Sequence, residues 1–284
     1  MVTKPLVLAT RQSPLALKQA ELVAERVRMD LKMEVKLLPM VTTGDRQIEW
    51  SLEKTGGKGL FTKELETALM DGRADLAVHS AKDMPTQMPD GLNLVAFLPR
   101  ENPSDVLVIK EGVDRPAIIA SGSPRRRAQG ALIFPDAQWI ELRGNVETRL
   151  RKIVEGNEAE ATLLASAGLK RLNIENFEGL NFQELRINQM VPAPGQGAIV
   201  VQARAAEKEL FSAINDLRTE RAVLKERAVL HAFGGGCQVA LGAHVGDDGE
   251  RLHFFHEFCG IKSLKIAGRE EKDWMSELIG WTDK

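Results

Sequence analysis

One unit, written twice, constrains this sequence more than any other feature. An apolar run that reads as a strand, Leu6 to Ala9, leads through Arg11-Gln12-Ser13-Pro14 to Ala16, Ala20, Val23, Val27 and Leu31 at helical spacing. Ser13 is a good N-cap and Pro14 a good first helical residue. Ala117 to Ala120 leads in the same way through Ser121-Gly122-Ser123-Pro124 into Arg125-Arg126-Arg127. Further apolar runs at Val35 to Val41, Ala74 to Val78, Val106 to Ile109, Trp139 to Leu142 and Ala161 to Ala165 alternate with helical patterns such as Phe61 to Met70. Strands alternating with helices predict an α/β fold with mixed, largely parallel sheets. The repetition predicts two similar halves meeting near Pro99 to Pro103. The last part differs. A helix over Arg218 to Ala232 is closed by Gly234-Gly235-Gly236, and alternation near Ala243 to Val245 and Leu252 to Phe258 predicts a small antiparallel sheet turning at Gly246-Asp247-Asp248-Gly249.

At 284 residues the chain is long enough for more than one domain. A net charge of −2 supplies no global field for nucleic acid or an anionic membrane, so any attraction for anions has to be local. Only Cys237 and Cys259 are present, which argues against a disulfide scaffold and fits a reducing, cytoplasmic setting. The first residues lack the apolar core and cleavage site of a secretory leader, and no apolar run is long enough to span a bilayer.

Local anion attraction is supplied by arginine. Arg11, Arg125, Arg126, Arg143 and Arg149 fall at or just after predicted strand ends, beside or within first turns of helices. Open α/β sheets bind ligands at the carboxyl ends of their strands. Helix N-termini favour anions there, and a guanidinium captures a carboxylate through two bonds. Five such groups aimed at one crevice would suit a ligand with many carboxylates; solvated helix arginines are the plainer alternative. Lys54-Thr55-Gly56-Gly57-Lys58-Gly59-Leu60-Phe61 lacks the order of a phosphate loop and reads as a basic lid or a plain surface loop. Asp83 follows a strand, next to Lys82 and near His79; such a carboxylate can stabilise a developing cation or simply form a turn. Cys237 follows three glycines and is open to five roles: nucleophile, redox sensor, metal ligand, covalent anchor or inert thiol. His253, His256 and Cys259 are spaced by three, but on a strand that spacing alternates faces, so no metal site is expected.

Six motifs occur in order and at suitable spacing: Arg11-Gln12-Ser13-Pro14-Leu15-Ala16-Leu17, Gly56-Gly57-Lys58-Gly59-Leu60-Phe61, His79-Ser80-Ala81-Lys82-Asp83-Met84-Pro85, Leu142-Arg143-Gly144-Asn145-Val146, Pro194-Gly195-Gln196-Gly197-Ala198 and Gly235-Gly236-Cys237-Gln238-Val239. Together they resemble the porphobilinogen deaminase family over residues from about 5 to 245. The resemblance implies two periplasmic-binding-protein-like domains and a small α+β third domain. The chain would cross back near Ala198 to Gln202, giving domains at 1–98 with 196–215, 99–195 and 216–284. It implies a dipyrromethane cofactor on a thioether to Cys237 and porphobilinogen as substrate for a monomeric transferase of heme and porphyrin biosynthesis. Loss of ammonia from the substrate would leave an azafulvene, which the free α-carbon of the growing chain attacks; hydrolysis would release hydroxymethylbilane. Asp83 would be catalytic. Ser13, Lys82, Ser123, Arg125, Arg126, Arg143, Gly144 and Gln196 would hold the cofactor, and Arg11, Arg149, Lys54, Lys58 and Phe61 the substrate. After Gly268 little chain is expected for the family's last strand and helix, and Ala240 replaces a usual proline. A non-enzymatic anion-binding protein and a degenerate deaminase are the competing readings.

Overall fold

The computed structural model describes residues 4–46, 59–235 and 239–282. Three sheets organise the chain. Strand β1 (Leu6–Arg11) is followed by helix α1 (Pro14–Arg26), and Ser13 caps that helix by accepting the Ala16 N–H at 3.3 Å. The first sheet adds β2 (Val35–Met40), β3 (Leu76–Ser80), β4 (Leu92–Phe97) and β10 (Ile199–Arg204) in the order β2-β1-β3-β10-β4. β10 runs antiparallel to both neighbours, whereas β1 pairs parallel with β2 and β3. On one face Ala20 and Val23 of α1, with Val27 just after it, pack against Leu8, Leu76, Val78 and Val201. On the other, α2 (Lys63–Met70) packs Leu65 and Leu69 against Ala9 and Ala77. Strands covered on both faces read as continuous apolar runs, which is why they stand out in the sequence.

The second sheet repeats the pattern with β5 (Asp105–Lys110), β6 (Ile118–Ala120), β7 (Gln138–Ile140), β8 (Ala161–Ala165) and β9 (Leu180–Glu184) in the order β7-β6-β8-β5-β9. Here β5 is the antiparallel strand. Its helices are α3 (Pro124–Ile133), α4 (Val146–Glu155) and α5 (Ser166–Arg171). In each half, the antiparallel strand adjoins a crossing between the halves. This matching order is the periplasmic-binding-protein-like arrangement the resemblance implies.

A third sheet, β11 (Leu241–Val245), β12 (Arg251–His256) and β13 (Gly260–Lys265), is antiparallel throughout. It is covered by α6 (Leu217–Ala232) and by α7 (Glu271–Gly280), which buries Trp274 and Leu278 against Phe254 and Leu264. The expectation that little would remain after Gly268 is therefore corrected: a ten-residue helix follows and completes this core.

A buried carboxylate ties the three parts together. Glu226 on α6 is fully buried and accepts from Arg100 Nη1 at 2.6 Å and Nη2 at 3.0 Å. The Gly195 N–H donates to it at 2.7 Å and the Val245 N–H at 2.8 Å. Burial pushes its pKa up, but Arg100 and His244 outweigh this and hold it at about 2. The next residue, Arg227, donates to the Met84 and Pro85 carbonyls at 3.2 and 2.6 Å.

Candidate active site

Charge from both halves converges where their strands end. β3 ends at Ser80 and enters a single 3-10 turn, Ala81–Asp83, which sets Lys82 and Asp83 at the carboxyl end of an interior strand. The crossing chain presses on this turn. Gly195 has φ +76°, and a Cβ there would lie 2.8 Å from Ala81 Cβ, so only glycine permits the approach. Burial lowers the Lys82 ammonium to about 8; Asp83 opposes this, while Arg126 and Arg125 from the second half add to it. Arg149 is lowered to about 10 by burial and by Arg126 and Arg143, against the pull of Asp83. Asp83 and Lys82 thus share one electrostatic neighbourhood with Arg125, Arg126 and Arg149.

Arg125 and Arg126 share a partner distant in sequence, whereas Arg143 and Arg149 bond near neighbours. Ser123 caps α3 by accepting the Arg126 N–H at 3.4 Å. Asp105, fully buried at the start of β5, accepts from Arg125 Nη1 at 2.7 Å and Arg126 Nε at 2.9 Å. The Gln196 side-chain amide reaches the same carboxylate at 3.2 Å and the Pro103 carbonyl at 2.7 Å. Burial pushes Asp105 up, but the two guanidinium groups hold it well below the usual carboxylate range. Arg149 Nε donates to the Gly144 carbonyl at 2.7 Å, whereas Arg143 is turned onto Glu141 at 2.6 and 2.8 Å. Gly144 has φ +122°, with Thr148 Cγ2 2.9 Å from where a Cβ would sit, so this turn requires glycine.

On the first-half side, Arg11, Phe61 and Asp83 line one cavity with Gln19, Thr62, His79 and Ser80. Arg11 lies 4.2 Å above the Phe61 ring centroid. Gln19 donates to Ser80 Oγ at 3.0 Å. Burial takes the His79 ring down to about 4, so it stays neutral against Gln202 at 3.1 Å, with Gln202 opposing the shift and Arg11 adding to it.

Comparison with known proteins fits this geometry. A family model described as porphobilinogen deaminase, dipyromethane cofactor binding domain, matches residues 6–212. The chain belongs to the porphobilinogen deaminase family. The porphobilinogen deaminase of Brevibacillus brevis is 43% identical over 252 residues, covering 85% of this chain and 80% of that one. That of a Caulobacter species (strain K31) is 40% identical over 293 residues, covering 98% and 91%. Among solved structures, the periplasmic VFT2 domain of BvgS from Bordetella pertussis superposes with a TM-score of 0.43 at 14% identity, covering 78% of this chain and 92% of that domain.

The residues present fit the polyacidic cofactor of a porphobilinogen deaminase. Two buried polar atoms beside the arginines, Arg125 Nε and Gln196 Oε1, have no hydrogen-bond partner among the described residues. Buried polar groups are normally satisfied, so both are suited to a ligand that carries acceptors and N–H donors. The Ser13 and Ser123 oxygens accept the cap bonds, which leaves each hydroxyl proton to donate. Lys54, Lys58 and Cys237 lie outside the described residues. Sequence reasoning missed Asp105 and Asp45, the acids that hold the arginines. An aspartate at the first position of an apolar strand was the one local signal for Asp105.

Proposed function

We propose that this chain condenses porphobilinogen stepwise, with loss of ammonia, into the linear tetrapyrrole hydroxymethylbilane, with Asp83 at the reacting centre and Cys237 as the covalent anchor. The carrying observation is that one crossing segment touches both halves of the site: Gly195 packs against the turn that carries Lys82 and Asp83, and Gln196 reaches the Asp105 carboxylate that holds Arg125 and Arg126. When bound, the dipyrromethane group supplies a pyrrole α-carbon nucleophile for the first condensation. Asp83 accepts the pyrrole N–H of the substrate and offsets the positive charge that develops as the aminomethyl nitrogen departs. Lys82, Arg125, Arg126 and Arg143 bind the acetate and propionate arms of the cofactor, with Ser13, Ser123 and Gln196 adding hydrogen bonds. Gly144 lets the backbone come close to them. Arg11 and Arg149, with Lys54 and Lys58, take the arms of the incoming substrate, and Phe61 packs against Arg11.

The division into 1–98 with 196–215, 99–195 and 216–284 is supported by β10 lying between β3 and β4. Among the described residues no helix is long and apolar enough to cross a membrane. A net charge of −2 offers no global field for nucleic acid or an anionic membrane, and we carry the monomer and the cytoplasmic setting as part of the family reading.

Intact-mass measurement with Ehrlich's reagent tests the anchor. Chain purified from a porphobilinogen-competent host should carry the adduct and react, and Cys237→Ser should do neither. An unmodified Cys237 in the parent chain would remove the anchor assignment. In the same host, Asp83→Asn should fold normally yet lose about 10²–10³-fold in turnover; unchanged rates would take Asp83 out of the mechanism.

A further inference from the structure

We infer that Asp45 is a positioning residue that fixes Arg11 in the orientation that receives a substrate carboxylate. The inference rests on the reading of Arg11 as a substrate-binding residue. Arg11 is the last residue of β1, and Asp45 bonds its guanidinium along one edge. Nη2 lies 2.5 Å from Asp45 Oδ1, and Nε lies 3.2 and 3.3 Å from Oδ1 and Oδ2. These contacts use the Nε–Nη2 side; Nη1 takes no part in them. A guanidinium has five N–H donors in one plane, so a group held along that side still offers the fork between Nη1 and Nη2 to a second carboxylate.

Asp45 is itself locked. Its Oδ2 accepts from the Thr42 N–H at 3.1 Å and the Thr42 hydroxyl at 2.7 Å, and Thr42 is fully buried. The turn Thr43–Arg46 that carries Asp45 is fastened to α2, since Thr43 donates through its N–H and hydroxyl to Glu64 at 2.8 and 2.6 Å. A flat face of the guanidinium rests on the Phe61 ring. That ring keeps its place only because residue 44 is glycine: a Cβ there would lie 2.2 Å from Phe61 Cε1. Carboxylate, ring and strand end therefore form one interlocked holder around a long, flexible side chain. An unrestrained arginine loses rotamer freedom when it captures an anion; this one has lost it on folding. The arrangement differs from a competing latch, in which the carboxylate would occupy the fork that the substrate needs.

Steady-state kinetics of the cofactor-loaded enzyme tests the assignment. Asp45→Ala should raise KM for porphobilinogen about tenfold with kcat changed far less, because the chemistry stays with Asp83. Asp45→Asn keeps an acceptor for Arg11 and should recover part of the loss. In an Arg11→Gln background, where KM is already raised, Asp45→Ala should add nothing. A lower KM in Asp45→Ala would make the residue a competitor and overturn the proposal. So would an undiminished effect in the Arg11→Gln background, which would mark a purely structural role. An unchanged KM in Arg11→Gln itself would remove the Arg11 reading and this inference together. A raised KM there with none in Asp45→Ala would remove the positioning role alone. Thermal melting and intact mass of each variant confirm folding and cofactor loading.

Discussion

Burial brings the Lys82 ammonium down to about 8, so its charge changes within reach of ordinary working pH. As pH rises through that value the crevice loses a cation and its hold on carboxylate arms weakens. We expect kcat/KM to fall above pH 8, with cofactor carboxylates moving the fall upward, and Lys82→Arg to flatten it. The titration of Lys82 does not produce this fall by unfolding the chain. A lysine whose folded pKa is lowered leaves the unfolded chain binding more protons between about 8 and 10.5, so its own term favours folding as pH rises. Ser13, Ser123 and Asp83 were legible from the sequence because capping and strand-end positions have local signatures. Asp105 and Asp45 were not. They hold arginines 20 and 34 positions away, and no pattern in a single sequence marks such a partner.

Helix α6 shows how an element outside the crevice shapes it. Glu226 gathers the Arg100 side chain from one crossing, the Gly195 N–H from the other and the Val245 N–H from the third sheet. One position further on, Arg227 supports the carbonyls just after Asp83. Removing one partner of a buried ion pair strands the other, so Glu226→Ala should cost about 3–5 kcal/mol in urea unfolding. The periodicity of α6 was readable as a helix. Its binding partners were not, since Arg100 lies 126 positions away. The closing helix α7 is a different case. Chain length against the family pattern argues for little after Gly268, whereas Trp274 and Leu278, one turn apart on a common face, carry the helical signal locally.

Over the whole molecule, two fully buried carboxylates with lowered pKa values, Asp105 and Glu226, sit at the joints between the parts. Asp105 holds Gln196 as well as two arginines, and Glu226 holds both crossings. Because their folded pKa values are lowered, the stability they contribute is complete above the ordinary carboxylate range and is lost as pH falls through it toward 2. Urea midpoints measured between pH 6 and 3 should fall, and less steeply in Glu226→Gln; a parallel fall would exclude Glu226 as a source. The two-half plan was legible because its strand–cap–helix unit repeats. The strand orders were not legible from periodicity, because they depend on a return crossing from far along the chain that only the family resemblance pointed to. That crossing also sets an order of assembly. β5 to β9 are contiguous in sequence and can complete their sheet once Glu184 has been made, whereas β3 and β4 have no neighbour between them until residues 199–204 exist. During synthesis from the N-terminus, the half that is started first is therefore finished second, and its open strand edges wait unpaired while the later half closes.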